Sequence, residues 1–366
     1  PVMQKVPESP SKRKNKSPTK SRVLFGQVME GPAFRKLKDD ELRQACQNLC
    51  VLARSSPTDK ALLVNTLQNV CNEVVGVTGD GTNDAPALSA ADVGLAMGIA
   101  GTEIAKEAAN IVIMDDNFNS IVASVRWGRS IRENIRKFLT FQLSINLTAL
   151  TLTFVVACCN QGSTTKFPLT SVQLLWVNLI MDSFAALALA TEPPTDSLLE
   201  RPPDNRDAPM ITKTMWKHMI GHAAFQSILL LYLTLSSTGH TVLGAVESGG
   251  RMHYTGIFNT FVWLNVFNKF NCRKINDEIN IFEGLGDSHM SHYIILIIII
   301  GQILMVNYGG GWCQTTPLSR NQWLTNIGIG SLSIPVGTCL RLINRKDDAT
   351  ISSGGAKVVD GRKKDF

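Results

Sequence analysis

The chain has 366 residues, 44% of them hydrophobic and 18% charged, with a formal net charge of +6. That length allows two or three domains, and the averages hide two different halves, because apolar residues accumulate after Phe138. Eight cysteines with no Cys-x-x-Cys or other paired metal-ligand spacing exclude a disulfide framework and a zinc module, and indicate a reduced, cytosol-facing soluble half.

Residues 1–22 carry Lys12, Arg13, Lys14, Lys16, Lys20 and Arg22 among Ser and Pro, with no apolar core of a secretory signal. Such a stretch reads as a disordered basic loop, the functional alternative being contact with anionic lipid or nucleic acid. Residues 23–137 then alternate helix and strand signals. Leu42, Ala45, Cys46 and Leu49 form the stripe of an amphipathic helix over 39–52, overlapping a short strand at 50–53. Ser55 to Lys60 starts a second helix, with serine as cap and Pro57 in its first turn. A strand at 74–77, a helix at 85–91, a strand at 93–97, a helix at 103–109 and a strand at 111–114 follow. This rhythm predicts a parallel sheet with helices on its faces.

The run Val77-Thr78-Gly79-Asp80-Gly81-Thr82-Asn83-Asp84-Ala85-Pro86-Ala87-Leu88 joins the third strand to its helix. A strand end, a glycine-rich turn and a following helix make a place that holds phosphate and Mg²⁺. Asp80 and Asp84 stand four apart across the turn, which would let both carboxylates face one hard cation. The plain alternative is a structural Asn-Asp turn, which would suffice for a bare Gly-Asp-Gly. Lys60 can converge with Asp80 at the C-terminal edge of the sheet, where open α/β folds place ligands. A lysine there balances charge on a transferring phosphoryl group, as Mg²⁺ does from the other side. Taken alone, Lys60 would be a solvated lysine at a helix start.

Six later segments are long and apolar enough to be membrane helices: 138–159, 169–191, 215–237, 255–270, 291–308 and 323–343. The fourth is the shortest and most polar, and its Asn259, Asn265 and Asn268 would face protein rather than lipid. Basic residues concentrate after the second and fourth segments and in the tail, which places those connections and the soluble half in the cytoplasm. The first segment extends backward through 124–137, rich in arginine, as a stalk. Asp182 is a carboxylate inside an apolar helix, costly unless paired or on an ion path. Asn178 lies one helical turn before it, and Asn146 in the preceding segment is a third oxygen donor. Carboxylate and amide oxygens suit a hard cation such as Ca²⁺. The alternative is an aspartate hydrogen-bonded between helices.

From Val23 to the end of the last segment the chain resembles the C-terminal part of plasma-membrane-type calcium pumps, the calmodulin-regulated branch of the P-type ATPases. The runs that carry the resemblance are Leu52-Ala53-Arg54-Ser55-Ser56-Pro57-Thr58-Asp59-Lys60, the Gly-Asp-Gly-Thr-Asn-Asp run, Asn178 to Asp182, and Phe258-Asn259-Thr260-Phe261. The resemblance implies a Rossmann-like, haloacid-dehalogenase-like α/β phosphorylation-domain portion at 23–137. An all-α bundle of six transmembrane helices at 138–343 and a cytoplasmic tail at 344–366 follow. It implies that Asp80 binds Mg²⁺ with Asp84 in support, within a catalytic turn that includes Thr78 and Gly79. Lys60 and Asn83 would contact the phosphoryl group, and Arg54 would lie near ATP. Asn178 and Asp182 match ligands of transported Ca²⁺, Asn146 a position beside them, and Asn265 a position where that branch often has glutamine. Ala149 and Met181 replace an acid and a hydroxyl of two-site pumps, which implies one Ca²⁺ per cycle.

No Asp-Lys-Thr-Gly-Thr run occurs, so the phosphate-accepting aspartate of the family is absent from these residues. The expectation is the C-terminal portion of an ATP-driven Ca²⁺ export pump, or a truncated gene version of one, inactive without its N-terminal half. The expected partners are that half and the lipid bilayer. Calmodulin has no clear site here, and nucleic acid is not expected. The membrane would be the plasma membrane or an acidic, vacuolar storage organelle. Alternatives are a non-catalytic membrane module that regulates an intact pump, a soluble-type phosphatase of the same sheet family, and a pump for another cation.

Overall fold

The computed structural model describes residues 27–159, 168–190, 194–201, 204, 206–278, 280–282, 286 and 289–343. The basic segment 1–22 and the tail 344–366 lie outside the described residues, as do the side chains of 39, 180–182, 185, 186, 189, 190 and 289. The chain divides into two compact units, Pro1–Ile121 and Val122–Phe366.

In the first unit, β1 (Gln27–Glu30) leads into a single turn, α1 (Gly31–Phe34), and then α2 (Asp39–Asn48). β2 (Leu49–Ala53) pairs in parallel with β1, and α3 (Pro57–Asn69) follows. β3 (Gly76–Gly79), a 3₁₀ turn (Thr82–Asp84), α4 (Ala85–Ala90), β4 (Val93–Met97), α5 (Glu103–Ala108) and β5 (Ile111–Ile113) complete the succession. Every pairing is parallel, as strand–helix–strand connections require.

The strands belong to two sheets rather than one: β1-β2, and β3-β4-β5 in that order. β3 therefore has β4 on one side and no paired strand on the other among the described residues. The strand expected at 74–77 is shifted to Gly76–Gly79, in register with Val93 to Ala96. The Val75 amide is instead taken by the Asp92 carboxylate at 2.9 Å. Pairing, not valine content, decides where the strand begins. Small apolar contacts hold the helices on the sheet: Val64 with Val75 and Ala87, and Leu88 with Ala96 and Ala105.

A 42-residue helix, α6 (Phe118–Cys159), carries the chain into the second unit. A helical run follows as α7 (Ser171–Trp176), a π-helical stretch (Val177–Asp182) and α8 (Ser183–Ala190). Then come α9 (Ser197–Glu200), α10 (Lys213–Leu235), α11 (Gly239–Val242), α12 (Arg251–Cys272) and α13 (His289–Tyr308). The short α14 (Gly310–Cys313), α15 (Arg320–Ser331) and α16 (Ser333–Leu342) finish it. Helix is present at all six expected segments, but among the described residues only Phe118–Cys159, Lys213–Leu235 and Met290–Tyr308 are long and apolar enough by themselves to cross a membrane.

α12 runs through the interior: Phe258, Phe261 and Leu264 are fully buried among Phe141, Ile145, Leu230 and Val306. Three of its polar side chains bond to neighbouring helices. Gln302 donates to Asn259 at 3.1 Å, Thr260 to Asn326 at 3.3 Å, and Asn271 to the Ser333 carbonyl at 2.9 Å. On α6, the first-half arginines grip residues 196–210. Arg126 meets Asp196 at 2.5 Å, Arg132 meets Asp204 at 2.7 Å, and Arg129 donates to the Leu198 carbonyl at 2.7 Å.

Candidate functional site: the turn after β3

β2 ends at Ala53, and Arg54 turns the chain in the left-handed region at φ +48°. Ser56 then caps α3: its hydroxyl accepts the Asp59 amide at 3.3 Å, while its own amide donates to Asp59 Oδ2 at 2.8 Å. Pro57 fits the first turn, which has no use for its missing N–H. Asp59 is fully buried and ion-paired with Arg35 Nε at 2.7 Å. The first turn of α3 is thus fixed on both sides, and it carries Lys60.

Lys60 Nζ reaches Asp84 Oδ1 at 2.5 Å, across to the turn after β3. The other oxygen, Oδ2, accepts the Gly81 amide at 3.3 Å, and the Asp84 amide donates to the Gly81 carbonyl at 3.0 Å. This compact loop needs glycine at position 79, because a Cβ there would lie 2.5 Å from Asp84 Cβ and 2.9 Å from its Cγ. Burial alone would raise the Asp84 carboxyl. Hydrogen bonds from Lys60 and from the Gly81 amide, together with the lysine's charge, outweigh it and leave the group below the usual carboxylate range.

Asp80 is exposed at the end of β3, and its carbonyl accepts the Thr102 amide at 2.8 Å. Asn83 is exposed on the same turn, and so is Thr78 near the strand end. The C-terminal edge of the β3-β4-β5 sheet therefore presents one open carboxylate, one carboxylate saturated by a lysine and an amide, and one free carboxamide. Among the described residues no three His, Cys, Asp or Glu side chains form a metal cage. That donor set fits Mg²⁺, which keeps several waters and takes one or two protein carboxylates together with phosphate oxygens. Asp80 would hold it directly, with Asp84 committed to Lys60.

In the second unit Asn146 and Asn178 are exposed, whereas Asn265 is fully buried with its Nδ2 donating to the Phe261 carbonyl of its own helix at 2.9 Å. Asn178 and Asp182 both belong to the π-helical stretch, a rare form that concentrates at functional sites. The Asp182 side chain lies outside the described residues.

Sequence reasoning missed two carboxylates that shape the site. Asp59 fixes the base of Lys60, and Asp116 accepts the amides of Gly98, Ile99 and Ala100 beside β4. The visible signals were an aspartate three residues after a capping serine, and the Asp115-Asp116-Asn117 run that ends the last strand.

Residues 55–125 match the family described as haloacid dehalogenase-like hydrolase, and residues 166–343 match that described as cation transporting ATPase, C-terminus. Calcium-transporting ATPase 2 of Cryptococcus neoformans var. grubii is 49% identical over 319 residues, which cover 87% of this chain and 22% of that protein. Calcium-transporting ATPase 10, plasma membrane-type, of Arabidopsis thaliana is 49% identical over 316 residues, 86% of this chain and 29% of that protein. Calcium-transporting ATPase PAT1 of Dictyostelium discoideum is 45% identical over 346 residues, with 87% and 31% covered. The chain thus spans between about a fifth and a third of the length of these curated relatives. With a hydrolase-type sheet, apolar helices long enough to cross a bilayer and relatives of this kind over most of its length, the chain is an integral membrane protein and belongs to the plasma-membrane-type calcium-transporting P-type ATPases.

Proposed function

We propose that the chain supplies the C-terminal part of the phosphorylation domain and the C-terminal membrane helices of an ATP-driven Ca²⁺ export pump. The observation that carries this is the Lys60–Asp84 pair, locked at 2.5 Å beside the open carboxylate of Asp80 at a parallel-sheet edge. Mg²⁺ held there would neutralise charge on a transferring phosphoryl group. Lys60 and Asn83 would bind and orient its oxygens, and Arg54, after the end of β2, would contribute to holding the nucleotide. One side of β3 has no paired strand among the described residues, which suits a further strand from the N-terminal half that brings the phosphate-accepting aspartate.

In the membrane, the runs α7–α8, α12 and α15–α16 join the three longer apolar helices to make six spans, with the soluble unit and the C-terminus cytoplasmic. The polarity of α12 is tolerated because protein, not lipid, surrounds it. Asn178 and Asp182 are this chain's contribution to one Ca²⁺ site in the assembled pump, with Asn146 and Asn265 as further candidate oxygen donors. Exposed amides at 146 and 178 on otherwise apolar helices are unfavourable against lipid, which supports a face covered by further helices of the same pump.

The test is Asp80→Asn in the full-length protein. Phosphoenzyme formation that depends on Mg²⁺ should be abolished while membrane insertion is intact. Normal phosphoenzyme levels in that variant contradict the assignment.

A further inference from the structure

The loop between β4 and α5 is tied down at two points. Asp116 Oδ1 accepts the amides of Gly98 at 2.6 Å and Ile99 at 3.0 Å, and Oδ2 accepts that of Ala100 at 2.6 Å. Asp116 itself sits in the left-handed region, at φ +48°, which aspartate tolerates better than most residues. At the other end of the loop, the Thr102 amide donates to the Asp80 carbonyl at 2.8 Å. Between the two ties the backbone is tight. A Cβ at Gly98 would come within 2.7 Å of the Ile113 carbonyl, and one at Gly101 would collide with the Met97 carbonyl.

We propose that Asp116 is a positioning residue for the phosphoryl site: through the backbone of residues 98–102 it sets where Asp80 presents its carboxylate. This rests on the reading of Asp80 as a Mg²⁺ ligand. A carboxylate that accepts three amides makes charge-assisted bonds, the strong kind, so the loop has little freedom. Mg²⁺ demands near-ideal octahedral geometry, so a ligand whose backbone can drift loses affinity. Groups that bond directly to a metal ligand commonly change affinity by about ten- to a hundredfold when altered, and Asp116, which acts through the loop, belongs at the lower end of that range.

The experiment titrates Mg²⁺ against phosphorylation of the full-length protein by inorganic phosphate. Asp116→Asn keeps the shape but sets an NH₂ group against at least one backbone amide. Its half-saturating Mg²⁺ should rise about tenfold, with maximal phosphorylation recovered at saturating Mg²⁺. A purely structural lesion would lower the maximum without moving the midpoint. Thr102→Pro removes the other tie without touching a carboxylate, and the Thr102 φ of −68° already suits proline. It should shift the midpoint in the same direction. Thr102→Ala, which keeps the N–H and loses only the hydroxyl cap, should not. If Asp116→Asn fails to fold, the Thr102 pair decides alone. Unchanged Mg²⁺ midpoints in both Asp116→Asn and Thr102→Pro, with Asp80→Asn defective, overturn the positioning role and leave the proposed function standing. Normal phosphorylation in Asp80→Asn overturns that function instead.

Discussion

At the scale of residues, the turn after β3 works because Gly79 lets Asp84 fold back over the strand end. Gly79→Ala would press a methyl group 2.5 Å from Asp84 Cβ and lever the carboxylate away from Lys60. Strain of this kind costs about 1–3 kcal/mol. The variant should melt earlier in a thermal unfolding assay and lose most phosphoenzyme. The acidic limb of stability involves other carboxylates besides Asp84. The Ile99 and Ala100 amides hold Asp116 below the ordinary 3.8, and the Ser56 amide does the same for buried Asp59. A carboxyl whose folded value is depressed stabilises the fold above its unfolded value, and that contribution disappears as pH falls through the folded value. Amide exchange at residues 98–100, corrected for intrinsic rates, should stay protected down to about pH 4 and lose protection below it. Asp116→Asn should lack that transition.

The Gly-Asp-Gly-Thr-Asn-Asp run was legible as a candidate site because its parts are local: strand end, turn and helix start lie within a dozen residues. Lys60 was legible too, since a serine-capped helix start fixes its place. Asp59 and Asp116 were not. They act by accepting backbone amides, and those of Asp116 lie more than a dozen residues away in sequence. A sequence shows the carboxylate but not which amides a fold leaves unpaired for it.

Among the elements, the strand at Gly76–Gly79 shows the limit of propensity, since Thr78 and Gly79 pair in place of the expected Val74 and Val75. The division into two sheets was equally hidden, because the βα rhythm specifies parallel strands without naming neighbours. α12 reads as the weakest membrane segment for a reason that only packing reveals: Asn259, Thr260 and Asn271 bond to α13, α15 and α16. The α12–α15 contact depends on a small residue. A Cβ at Gly330 would lie 2.6 Å from Trp263 Cβ, whereas one at Gly328 meets nothing within 4 Å. Gly330→Ala should therefore lower the melting temperature of the detergent-solubilised protein, by about 1–3 kcal/mol of stability. Gly328→Ala, two residues away on the same helix, should be neutral or gain up to about 1 kcal/mol from helix propensity. Equal melting of the two variants would contradict the close approach of α12 and α15.

For the whole molecule, the proposed phosphate-handling edge sits in one unit and candidate Ca²⁺ ligands sit in the other, on one continuous chain. A pump needs both, and each fails differently when altered. Ca²⁺ loss should abolish phosphorylation from ATP but spare phosphorylation from inorganic phosphate, whereas loss of the Mg²⁺ ligand should abolish both. Asp182→Asn separates them, because an amide keeps the hydrogen-bonding shape of the carboxylate but drops the charge a divalent ion needs. The decisive measurement is uptake of radioactive calcium into vesicles that contain full-length Asp182→Asn protein, with both phosphorylation assays run beside it. Uptake and Ca²⁺-dependent phosphorylation from ATP should be lost while phosphorylation from inorganic phosphate persists. Unaltered Ca²⁺ affinity and uptake in that variant would contradict the account.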